Sequence, residues 1–400
     1  MNSNHNIIKI YLYNFFHSLI LAYVIERLFW ASRGITVQEV VWIEIIYSLV
    51  IILLELPTGM FADRLSRKTF IVIDALLALV EILILIFATN FWHFVLAIVL
   101  SAIGHALQSG AHNGLIYDTL RARHETNKFE KVLGRIKAID YLGIMISGFL
   151  GAIVATEFQY VTTYWISFIS LFIALIIAIT LKDVQKNQQK PGSLTWSIQD
   201  WAEVSKFMLR KAHIRYMTLI GIISGGVLVY LEEFWQIYTQ AIHIPVVYFG
   251  VINMIGFGAV AIGSILATSI KEKLGLHRII QLATTICAVG FLWLALQQHW
   301  CSLLAMICIY FAAAILEPLI YGYLHDHAIE KYRATIESAY SLLGRLAVAF
   351  IGLPFGYLTT HYTIFVGFMY LALVLSILKI LVLIIGKKLI THTENEIKHI

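Results

Sequence analysis

The chain has 400 residues, 60% of them hydrophobic and 13% charged, with a net charge of +5 and a mean hydropathy of +0.81. A soluble domain carries about a quarter charged residues. Composition therefore excludes a soluble domain of any size, and the positive charge reads as a topological signal, not a nucleic-acid footprint.

The N-terminus, Met1 to Lys9, lacks a signal-peptide layout, because the first apolar stretch is too long and no small-residue cleavage site closes it. Apolar runs of about 20 residues cross a bilayer as helices. The sequence predicts about twelve, at 9–31, 38–61, 69–90, 92–118, 132–156, 160–181, 214–238, 246–270, 278–297, 301–325, 336–359 and 363–386. Of 29 Lys and Arg, only Arg27 and Arg33 fall on the side reached after segment 1. Cytoplasmic loops collect positive charge, so both termini are expected in the cytoplasm, with the chain in the cell membrane. Trp30, Trp42, Trp92, Trp165 and Trp300 fall near expected outer boundaries, as an aromatic belt requires.

Charged and polar side chains within apolar segments are expensive, so each is either an interhelix pair or a functional group. Segment 1 offers Asn14, His17 and Ser18. Segment 2 carries Glu44 near its outer end and Glu55 near its inner end. Residues 59–68 follow, reading Gly-Met-Phe-Ala-Asp-Arg-Leu-Ser-Arg-Lys. Here a glycine permits a tight turn, while Asp63, Arg64, Arg67 and Lys68 offer charges to neighbouring helix ends. Segment 3 holds Asp74 and Glu81, seven apart on one face. Segment 4 presents Ser101, His105, Gln108 and His112 as one polar stripe, with Gly110 and Gly114 beside it for close helix packing. A packing role for a single histidine such as His112 stands as an equal alternative. Segment 5 carries Asp140, Gly143, Gly148 and Gly151.

The longest polar stretch, about 182–213, lies at the midpoint of the chain. Ser197 to Asp200 resembles a capping box, and Ile198, Trp201, Val204 and Met208 recur at helical spacing. A short interfacial helix and an unstructured linker both fit. The expected organisation is a six-helix bundle over 1–181, this linker, and a second bundle over 214–400. Internal matches support the duplication: Leu115 to Leu120 against Leu319 to Leu324, and Asp63 to Lys68 against Glu272 to His277.

In the second half, segment 7 gives Tyr230, Glu232, Glu233, Gln236 and Gln240. Segment 10 gives Tyr310, Glu317 and Tyr321, with Pro318 after Glu317, and segment 11 carries Arg345. Cys287, Cys301 and Cys308 have no motif spacing and read as packing residues. No His-Glu-x-x-His motif occurs, His124-Glu125 being the nearest approach, and there is no Gly-x-Ser-x-Gly. The absence of a Gly-x-x-x-x-Gly-Lys-Ser/Thr loop argues against a nucleotide-driven pump. An enzyme, a cofactor, a metal site and a nucleic-acid partner are not expected, and a monomer is.

The pattern Gly-x-x-x-Asp-Arg-x-x-Arg-Lys resembles the signature loop of the major facilitator superfamily. Glu55 to Gly59, Ser109-Gly110 with Leu115 to Asp118, and Arg333 to Thr335 resemble one bacterial branch of it. The resemblance implies an all-α membrane fold of two pseudo-symmetric six-helix bundles that rock about a central cavity. Helices 1, 4, 7 and 10 would line that cavity. Asn14, His17, His105, Gln108, His112, Tyr230, Glu233, Gln236, Tyr310, Glu317 and Tyr321 are the candidate substrate contacts on them. Helix 3 would stand outside, making Glu81 structural. Gly59, Asp63, Arg64, Arg67 and Lys68 would form an inner gate, with Asp63 at the start of helix 11 near Glu337 and Ser338, Arg67 on Asp118, and Glu55 on Arg345. Members of this neighbourhood often export small organic molecules in exchange for protons. Glu317 is the first candidate proton carrier and Glu233 the second. His105 stands where related exporters carry an arginine, and segment 5 lacks the proline of their antiporter motif. The expected function is secondary transport of an amphipathic or aromatic molecule, with an uptake symporter or uniporter, or a membrane enzyme or sensor, as alternatives.

Overall fold

The computed structural model describes residues 4–61, 66–183, 204, 208, 210–327 and 333–397. Among them the regular structure is entirely helical, and twelve spans are long and apolar enough to cross a membrane. Two compact units form. The first contains Met1–Leu194 and Pro245–Asn253, the second Thr195–Ile244 and Met254–Ile400. The interfacial helix expected near 197–210 lies largely outside the described residues.

In the first unit, segment 1 is not the single helix its apolar run predicts. It comprises α1 (Asn4–Ser18) and α2 (Glu26–Ser32), joined through a 3-10 turn at Leu21–Ile25. The other spans are α3 (Val37–Phe61), α4 (Arg67–Ile86), α5 (Phe91–Arg121), α6 (Phe129–Glu157) and α7 (Tyr160–Thr180). Irregular backbone at membrane depth persists only where protein pairs its polar groups. Here α7 does so: Ser167 Oγ accepts the Ala22 N–H at 3.1 Å, and Ser170 Oγ donates to the Phe16 carbonyl at 2.7 Å. On the other side α6 presents Gly143 and Gly151. A Cβ at Gly143 would sit 3.2 Å from the Phe15 carbonyl oxygen, and one at Gly151 would strike that of Leu21. These glycines let α6 approach the broken backbone directly.

Helix starts follow local chemistry. Thr36 and Glu39 form a reciprocal capping box at α3, with the Thr36 N–H donating to Glu39 Oε2 at 2.8 Å and the Glu39 N–H to Thr36 Oγ1 at 3.2 Å. Ser66 accepts the Thr69 N–H at α4, and Asn90 accepts the Trp92 N–H at α5. Because α3 continues to Phe61, Gly59 lies in its last turns and not in the following turn. One glycine costs a helix only about 1 kcal/mol, too little to end a long one. Trp30 corrects another expectation. It is fully buried against Phe94, with the Arg27 guanidinium 4.6 Å from its ring, and Arg27 pairs with Glu44 at 2.9 Å. A buried arginine needs both a counter-charge and cover, and Trp30 supplies the cover. Trp42, Trp92, Trp165 and Trp300 are exposed.

The second unit contains α8 (Ala212–Ala241), most of α9 (Phe249–Leu274), α10 (Leu276–Leu296), α11 (Ser302–His327), α12 (Arg333–His361) and α13 (Ile364–Ile397). Its core includes Tyr230, Phe234 and Phe355 in mutual ring contact, with Phe368 stacked on Phe355. Cys287 is buried, as a packing residue should be, whereas Cys301 and Cys308 are exposed. Cys308 lies on an outward-facing side of α11, and Cys301 in the turn just before that helix.

Candidate functional site

The polar residues of α1, α4 and α5 converge inside the first unit. Asp74, buried on α4, anchors the group. Its Oδ2 accepts a hydrogen bond from the Tyr13 hydroxyl at 3.0 Å and lies 3.4 Å from His17 Nε2. Tyr13 in turn accepts from Gln108 Nε2 at 3.3 Å. Asn14, the next residue on α1, donates from Nδ2 to the Ile10 carbonyl at 2.8 Å and contacts His112 Nε2 at 3.0 Å. An amide N–H only donates, so His112 accepts there as a neutral imidazole. At the end of α1, Ser18 Oγ donates to Asp140 Oδ1 on α6 at 3.0 Å.

Backbone contact sets this geometry. A Cβ on Gly104 would lie 2.8 Å from Asp74 Oδ1, so the missing side chain is what admits the carboxylate against α5. Beside it opens a cavity of about 180 Å³, whose lining includes His17, Tyr23, Tyr47, Asp74, Glu81, Ser101, His105 and Gln108. Glu81, one heptad after Asp74, is buried and hydrogen-bonded by Ser101. Glu81, expected to be structural and to stand outside the central cavity, lines this one together with Asp74. Their seven-residue spacing, which puts them on one face, was the available signal. Tyr13 was missed outright, since a tyrosine in an apolar run looks like packing.

A second constellation joins the start of α4 to the end of α5. Arg67 Nη1 lies 2.7 Å from Asp118 Oδ2, the contact expected from the sequence. A Cβ on Gly114 would be 2.6 Å from the Arg67 guanidinium. Gly114 therefore makes room for a side chain, and not for the close helix approach expected of it. Lys68 is half-buried next to Arg67. Asp63, Arg64 and the side chain of Glu55 lie outside the described residues.

The second unit distributes its candidates differently. Glu317 is exposed on α11, immediately before Pro318 within the helix. Tyr321 rests its ring on Tyr340 at 5.0 Å, while Tyr310 and Gln236 are buried and Glu233 and Arg345 half-buried. Tyr230 is a core residue whose hydroxyl donates to the Val348 carbonyl at 2.6 Å. Glu337, near the start of α12, pairs with His325 at 2.7 Å. In the first unit's α5–α6 turn, Glu125 bonds Lys128 at 2.6 Å and Arg123 at 2.9 Å. The Lys128 hydrogen bond holds its carboxyl below the usual range. Among the described residues no group of three or more His, Cys, Asp or Glu is placed to hold a metal.

Comparison with known proteins yields one family. The model of the Major Facilitator Superfamily matches residues 10–353. A class H tetracycline resistance protein of Pasteurella multocida is 24% identical over 311 residues, covering 73% of this chain and 74% of that protein. The solved nucleoside transporter NupG superposes with a TM-score of 0.77 at 12% identity, over 96% of this chain and all of that one. A bacterial homologue of the human lysosomal transporter Spinster, in an inward-facing unoccupied conformation, gives a TM-score of 0.69 at 13% identity, over 96% and 95% of the two chains. At such identities the structural likeness carries the fold.

Proposed function

The chain belongs to the Major Facilitator Superfamily, whose members are transporters, and from that premise we propose that it is a secondary transporter exporting a small amphipathic or aromatic organic molecule across the cytoplasmic membrane in exchange for protons. The observation that carries the proposal is the buried network Gln108–Tyr13–Asp74–His17 beside a cavity in an otherwise apolar bundle. Buried ionisable groups inside a membrane protein are retained for function more often than for stability. The likeness to a tetracycline resistance protein supports export of an aromatic compound.

In this account both termini face the cytoplasm and the protein acts as a monomer. Arg67 and Asp118, with Gly59, Asp63, Arg64 and Lys68, work the inner gate, and Glu55 pairs with Arg345 when that side closes. Glu317 carries the coupled proton, with Glu233 as the second candidate. The test is substrate-evoked proton movement. Protein-containing liposomes loaded with a pH indicator should acidify or alkalinise when a panel of amphipathic aromatic compounds is added, and protein-free liposomes should not. Compound uptake with no accompanying pH change would remove proton coupling and leave a uniporter.

A further inference from the structure

We propose that the α1–α3–α4–α5 cavity is a cation subsite that takes the ammonium head of an organic amine, with Glu81 and Asp74 as its counter-charges. This deepens the transport reading above and rests on it for the identity of the cargo as a small organic molecule.

Size is the first consideration. Drug-sized ligands fill pockets of about 300–1,000 Å³. A cavity of about 180 Å³ holds a head group or a small amine but not a whole drug. Charge is the second. The lining carries two buried carboxylates and no lysine or arginine. The unit's membrane-embedded arginines are engaged elsewhere, Arg27 with Glu44 and Arg67 with Asp118. The other groups around the two acids are Tyr13, His17, Ser101, His105 and Gln108, neutral or weakly basic, and a further acid, Glu26, whose charge acts on Glu81.

With His17 and His105 neutral the ionised cavity is doubly negative, and with either one protonated it is still singly negative. Burying uncompensated carboxylate is costly, so the site favours a cation while at least one of the two histidines is neutral. His17 Nε2 faces Asp74 Oδ2 at 3.4 Å, so its charge state sets how much of the Asp74 charge is offset. Chemistry of the wall is the third consideration. Tyr23 and Tyr47 line the cavity, and phenol rings combined with carboxylates recognise ammonium groups. Asp74 and Glu81 are separated by about 10 Å along α4, so an ammonium held between them is about 5 Å from each.

The experiment uses the purified full chain in lipid nanodiscs with choline and its neutral isostere 3,3-dimethyl-1-butanol as probes. Calorimetry should show choline binding tighter by about tenfold. Glu81→Gln should abolish the difference, and Glu157→Gln, at the exposed end of α6, should leave it. Because a buried-acid variant can fail to fold, wild-type protein is also treated with a carbodiimide and its modified carboxyls mapped by mass spectrometry. Choline, but not the butanol, should protect Asp74 and Glu81. Equal affinity for the two probes, no binding of either, or protection by neither overturns the subsite. Choline binding without flux of any organic compound through liposomes would keep the subsite and remove the transport reading. Flux without choline binding would do the reverse.

Discussion

Tyr13 on α1 donates its hydroxyl hydrogen to Asp74 on α4 across 3.0 Å, and this bond ties the first span to the polar face of the third. It is a charge-assisted bond in a buried setting when Asp74 is ionised, a class that stabilises by about 1.5–3 kcal/mol. Tyr13→Phe should therefore lower the unfolding free energy by that amount. In a double-mutant cycle with Asp74→Asn the coupling should exceed about 0.5 kcal/mol. Additive effects in detergent unfolding would show that the two side chains do not act together.

The Arg67–Asp118 pair depends on a missing Cβ. Gly114→Ala would place a methyl carbon in the space the guanidinium fills, and the flexible arginine would yield rather than the helix. Thermal stability should change little while transport falls. Asp118→Asn added to Gly114→Ala should then cost little more activity than either substitution alone. Independent, multiplying losses would separate Gly114 from the pair.

Gly151 faces the opposite situation, because its obstacle is the Leu21 carbonyl, a backbone atom that cannot swing away. Overpacking of this kind costs about 1–3 kcal/mol. Gly151→Ala should destabilise the folded protein by that much, and Gly134→Ala, with open space around it, should not. Comparison of their denaturation midpoints decides the point.

Glu317 is exposed on α11, directly before the helix-interior Pro318, and Glu→Gln preserves its shape while removing its charge. Glu317→Gln should abolish accumulation driven by a pH gradient yet keep downhill exchange of the same compound. Retained pH-driven accumulation would shift the proton to Glu233, His105 or the Asp74–His17 pair.

The spans were legible because runs of about twenty apolar residues admit few other structures. The Arg67–Asp118 pair was expected from the resemblance of residues 59–68 to the family's signature loop. The break in segment 1 was not. Leu19 and Ile20 are ordinary helix residues, and what stabilises the break, Ser167 and Ser170, lies some 150 residues away. Trp30 was misplaced for a similar reason, since the Phe94 ring it packs against lies on α5, far along the chain. The α4 acids were visible as a pair, but their role depends on Gly104 admitting Asp74 against α5, a three-dimensional fact with no signature in spacing.

The central claim is that the chain moves an organic solute through a pathway that uses the buried Asp74 network. Uptake of a labelled amphipathic amine into proteoliposomes tests it most directly, comparing wild type, Asp74→Asn and protein-free vesicles at matched lipid. The account predicts saturable uptake by wild type, at least about tenfold loss in a folded Asp74→Asn variant, and only linear leak without protein. Wild-type uptake indistinguishable from leak, or full uptake by Asp74→Asn, would contradict it.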